Sequence, residues 1–84
     1  MQVWKYPLLV QEEQVVWMPE GAKVVLLAMQ GAVPTLWAML DPQKVAVPRR
    51  IVLHGTGHEF DATGLEHLGS VVDGRFVWHY FEKV

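Results

Sequence analysis

The chain has 84 residues, 51% of them apolar, and a formal net charge of −2. A length of that order sets one domain, residues 1–84, with roughly 5,000 Å² of folded surface and a modest core. The apolar excess excludes disorder as the main state, and nine acidic against seven basic residues argue against nucleic acid as a partner.

There is no cysteine, hence no disulfide framework, no thiolate nucleophile and no cysteine-based zinc site. No apolar run reaches the ~18 residues that a membrane span needs. The first residues, Met-Gln-Val-Trp-Lys-Tyr, lack the basic-then-apolar pattern of a secretory leader. The expected location is therefore cytoplasmic. Excess apolar surface on a small domain points to a homo-oligomer.

Taken in chain order, Gln2–Val10 is rich in aromatic and β-branched residues and reads as a strand that breaks at Pro7. Alternation puts Trp4, Tyr6, Leu8 and Val10 on one face. Gln11–Gln14 reads as a polar turn and Val15–Met18 as a short strand. Met18-Pro19-Glu20-Gly21 fits a type I turn, with proline at its second position. Lys23–Gln30 encloses the run Val-Val-Leu-Leu-Ala-Met. Its length and flanking glycines predict a central, buried strand. Gln30–Val33 forms a hairpin connection to a partner strand over Thr35–Leu40, which Asp41-Pro42 ends. A helix over Leu26–Leu40 is opposed by Gly31 and Pro34 in its middle.

Pro42–Pro48 reads as an exposed loop and Arg49–Gly55 as the fifth strand. Arg50, Val52 and His54 share one face of it, and Arg49, Ile51 and Leu53 the other. Gly57–Leu65 is a loop, and Glu66–Val72 a sixth strand. Asp73-Gly74 between two apolar runs predicts a type I′ turn. The last strand, Arg75–Phe81, turns Phe76, Trp78 and Tyr80 one way and Val77, His79 and Phe81 the other. Seven short strands with turns between them predict an all-β fold, a small antiparallel barrel or sandwich.

The densest chemistry lies in Arg49–Phe60, where two arginines precede His54-Gly55-Thr56-Gly57-His58. Glycines let backbone N–H groups approach an anion, and Thr56 adds a hydroxyl. Arg49, Arg50, His54 and His58 supply positive charge. The stretch lacks a phosphate-loop lysine and the dinucleotide fingerprint. It also reads simply as a strand end with a glycine turn. His54 and His58 are four apart, a metal-ligand spacing for a helix, which Gly-Thr-Gly opposes. A third ligand would have to be Glu59, Asp61, His67 or His79, so no metal site is assigned. Ser70, the only serine, sits in no nucleophile motif, and no catalytic residue or cofactor is assigned. Four tryptophans, Trp4, Trp17, Trp37 and Trp78, exceed what so small a core encloses. Trp37 and Trp78, with His79, are therefore candidates for stacking on a ligand.

The ordered set Trp4–Leu8 (WKYPL), Met18–Ala22 (MPEGA), Leu36–Ala38 (LWA), Gly55–His58 (GTGH) and Phe76–His79 (FVWH) resembles a family of small uncharacterised proteins of tailed phages and prophages. The resemblance implies an origin and, by analogy, a binding role in the host cytosol. The leading expectation is a non-enzymatic counter-defence protein. It would sequester a small anionic, nucleotide-type signal or block a host defence protein. The alternatives are a structural or assembly accessory of the virion, and a small hydrolase.

Overall fold

The computed structural model describes residues Met1–Val84. Seven strands are present: β1 (Gln2–Pro7), β2 (Glu13–Pro19), β3 (Lys23–Gln30), β4 (Val33–Leu40), β5 (Ala46–Gly55), β6 (Leu65–Asp73) and β7 (Phe76–Lys83). They form a three-stranded sheet, ordered β1-β4-β3, and a four-stranded sheet, ordered β2-β5-β7-β6. Every pairing is antiparallel. The sheets do not close into a barrel, and extents of 40 × 31 × 16 Å fit two layers of a sandwich. No helix is long and apolar enough to cross a membrane.

Alternation selects the core. Leu36, Ala38 and Leu40 of β4 face Ile51 and Leu53 of β5 and Tyr80 of β7, with Met18, Leu27 and Val71 filling between them. Tyr80 is fully buried and its hydroxyl donates to Leu9 O at 3.1 Å. Burial, helped by the charge of Asp73, pushes its pKa up to about 12. The sheets come closest where β6 passes β3. A Cβ added at Gly69 would stand 2.8 Å from Leu27 Cβ, so only glycine allows this approach.

Two prolines lie inside strands without breaking a ladder. Pro34 O accepts from Leu8 N at 2.8 Å. Its missing donor therefore faces the same side, past the last β1–β4 pair at Pro7 and Thr35. Val45 O accepts from Glu20 N, so alternation turns the ring nitrogen of Pro48 away from β2, toward a place that β7 does not reach. The fifth strand thus starts at Ala46 instead of Arg49.

Four local expectations are corrected. The Lys23–Gln30 strand lies at a sheet edge, and β4 is the central one. Its run is apolar because Val25 and Leu26, at a bulge against β4, lie bare on the outer face while Val24, Leu27 and Met29 pack inward. The first proline turn sits one residue later: Ala22 N donates to Pro19 O, and Gly21 has φ 82°, the type II pattern. In the last hairpin Asp73 pairs with Phe76, leaving Gly74-Arg75 as the turn. Only Gly74 has positive φ there, which matches type II′ and not I′. Finally, Glu13 and Gln14 belong to β2 and not to a turn.

Candidate functional site

The adjacent arginines have opposite fates because β5 alternates. Arg49 points inward, where its Nε and Nη2 donate to the two carboxylate oxygens of Glu82, the second at 2.8 Å, and Nη1 donates to Ala22 O at 2.8 Å. That bidentate bond holds the guanidinium pKa above its ordinary value against the opposing effect of burial. All three of its nitrogens are engaged, so Arg49 ties β5, β7 and the β2–β3 turn together. Arg50 points outward and meets Glu13 at 2.7 Å, which Lys83 also meets at 3.0 Å. Hydrogen bonds from Lys83 and Arg50 hold the Glu13 carboxyl below the usual range. The cleft above them, of about 620 Å³, also carries Glu12 and Asp61. Its cations are matched by acids, which makes it a poor trap for an anion.

His54 lies on the same outer face as Arg50. Its ring stacks on Phe60, centroids 4.0 Å apart and planes within 5°. Phe60 also leans on Phe81 at 5.2 Å. The Thr56–Gly64 connection is thereby folded back over its own sheet. Beside it runs a hydrogen-bonded chain. Thr56 Oγ1 lies 2.7 Å from His79 Nε2, His79 Nδ1 lies 2.7 Å from Ser70 Oγ, and Ser70 Oγ lies 3.0 Å from His67 Nε2. Register explains it: His54, His79 and Ser70 stand abreast on β5, β7 and β6. No three histidine or acidic side chains converge as metal ligands.

The glycine turn is less open to an anion than its composition suggests. Thr56 N donates to Val77 O and His58 N to Gly55 O, so two of its amides are spent. Gly57, at φ 89°, supplies the third position of a type II turn, and its N–H is unengaged. Gly55 has a different task. It faces Trp78 across the ladder, and a Cβ there would lie 3.0 Å from His58 Cε1 and 3.1 Å from Trp78 Cζ3. Glycine lets an imidazole and an indole close over one backbone position.

That closure makes the most distinctive cleft, about 290 Å³, walled by Gly55, Thr56, His58, Arg75, Phe76, Val77 and Trp78. Phe76 and Trp78 are stacked, centroids 5.4 Å apart, and the Arg75 guanidinium lies 5.5 Å from the Phe76 ring centre. Phe76 is half exposed. No carboxylate lines this cleft. The structure thus gathers Gly55, Thr56, His58 and Trp78, sends His54 and Arg50 to the acid-matched cleft, and engages Arg49 in the interior. His79 reaches the turn only through Thr56. Trp37 stands on the outer face of the other sheet, opposite Lys5 and Leu26.

Over residues 1–84 the chain matches a family described as a domain of unknown function, DUF7352. It belongs to that family. No curated protein and no solved structure matches it.

In this DUF7352 chain, sequence reasoning missed Arg75 and Phe76 as cleft walls and Ser70 and His67 as partners of His79. The signal for Phe76 was present, since alternation puts it on the face of Trp78. For Arg75 the signal was the turn position: a turn at Gly74-Arg75 brings the guanidinium beside Phe76. Nothing local pointed to the Ser70 chain, which needs the β6–β7 register.

Proposed function

We propose that this chain is a non-enzymatic binding module for a small anionic ligand with an aromatic ring, of the nucleotide type. The cleft between the Gly55–His58 turn and Arg75–Trp78 carries the reading. It combines a guanidinium, an exposed ring, an imidazole and a hydroxyl without one carboxylate. A base stacks on Phe76, and a phosphate takes charge-assisted hydrogen bonds from Arg75. The volume sits at the lower end of small-molecule sites and suits a mononucleotide-sized ligand. The likeness of the sequence to small phage proteins supports placing this binding in counter-defence, as sequestration of a host signal.

Calorimetry across a panel of cyclic nucleotides and ADP-ribose tests it. Binding is expected for at least one member, lost in Arg75→Ala and Phe76→Ala proteins that keep their circular dichroism. It is retained in Arg50→Ala, whose side chain belongs to the Glu13 pair. Absence of heat across the whole panel overturns the reading.

One observation favours a second reading, hydrolysis: Ser70 Oγ is held between two imidazoles. Against it stands the position of Ser70 in mid-strand, paired with His79, where neighbouring amides serve the ladder and no oxyanion hole is formed. Panel nucleotides recovered intact after incubation dispose of hydrolysis.

A further inference from the structure

The outer face of the β1-β4-β3 sheet gathers exposed apolar side chains from all three strands and has no occupant. Across its middle run Lys5, Trp37 and Leu26, paired in register, and next to them Val3, Met39 and Lys23. Val3 is 55% exposed and Leu26 51%. Val25, Val33 and Met39 are exposed as well. The bulge in β3 places Val25 and Leu26 together on this side. Lys5 Nζ donates to Gln30 Oε1 at 2.9 Å, so its aliphatic stem runs from β1 across β4 to β3. The two lysines thus present ammonium groups near opposite ends of β3. The strand positions of this face include no acidic residue.

Charge and size both speak against a second copy here. Stacking this face on itself would bring lysines together with no carboxylate to meet them. Three strands of six to eight residues make a face about 14 Å by 25 Å, or roughly 350 Å² in plan. A stable dimer of standard size needs about 800 Å² from each partner. An α-helix is about 10 Å across and rises about 22 Å in four turns, which fills such a face, and helix on sheet is a stable layer pairing.

We propose that this face docks an amphipathic helix of about four turns from a partner protein, its apolar stripe lying across Val3, Trp37 and Leu26 and its acidic flank meeting Lys5 and Lys23. This surface is separate from the cleft at Gly55–Trp78, and either can fail without the other.

The test uses the full chain, labelled with ¹⁵N, and synthetic helical peptides of about 15 residues that carry one leucine stripe. One set is flanked by glutamate and the other by lysine. The glutamate peptides are expected to shift the amide signals of Val3, Leu26 and Trp37 and to bind about tenfold more tightly than the lysine peptides. A Lys5→Glu, Lys23→Glu double variant is expected to reverse that preference, and Leu26→Glu to abolish binding. Equal binding of both sets, or no shift at these amides with either, overturns the proposal. So does concentration-dependent dimerisation in sedimentation that Leu26→Glu removes, which would assign the face to a second copy. Shifts of the same amides by a single-stranded oligonucleotide and not by the glutamate peptides would likewise overturn it.

Discussion

The two outer sheet faces follow the same alternation and end in different states. On the four-stranded sheet the chain itself covers the middle of the face, and only Val15 and Trp17 on β2 and Val72 on β6, the two edge strands, stay exposed. Glu13 meets Arg50 and Lys83, Thr56, His79, Ser70 and His67 bond in sequence, and Phe60 folds down on His54 and Phe81. On the three-stranded sheet one lysine crosses the face to Gln30, and the apolar side chains around it stay bare. The difference comes from connections. The Thr56–Gly64 segment between β5 and β6 is long enough to return over its own sheet, whereas β3 and β4 are joined by Gly31-Ala32 alone. A sheet face in a domain this small is covered only where a loop can reach it.

If that comparison is right, equivalent truncations should have unequal costs. Phe81→Ala removes the ring against which Phe60, His54 and His67 pack. It should lower stability by about 2 kcal/mol, less than for a fully buried phenylalanine, as read from the urea midpoint. Ser70→Ala breaks the chain between His79 and His67 and should cost about 1 kcal/mol; an unchanged midpoint would mean that the chain contributes nothing. A smaller effect is expected from acid. The Glu13 pKa is lowered in the fold, so its contribution is present above its ordinary value of 4.5 and is lost as pH falls through the lowered value. Stability should therefore decline with falling pH across that window, and Glu13→Gln should flatten this part of the curve. The smallest change belongs to the bare face. Leu26→Ser should move stability by no more than about 0.5 kcal/mol while, on the docking proposal, weakening partner binding. A large loss of stability there would show that the face is packed after all.

Much of the fold was legible because alternation is local. The inward set of β4, the pairing of Phe76, Trp78 and Tyr80 on one face, and the opposed directions of Arg49 and Arg50 all follow from a period of two. The all-β class followed from the spacing of turns. What alternation does not carry is partnership. An apolar run reads as a buried central strand whether its second face is covered or bare, which is why β3 was expected at the centre and stands at an edge. Likewise Arg49 reads as an anion ligand until Glu82, 33 residues away, is seen to occupy it. Glycine in the Gly55–His58 turn reads as a donor cradle until Val77 and Gly55 carbonyls take two of the amides.

The sequence by itself determined the strands, their inward faces and the places where the chain must turn, because these depend on residues within a few positions of one another. Only the tertiary structure decided which polar groups remain available. Strand order and register bring Arg75, Phe76 and Trp78 to the glycine turn, draw Arg49 into the interior and leave Trp37 on a face of its own. Each of those outcomes depends on pairing between residues far apart in the chain, for which local pattern holds no information.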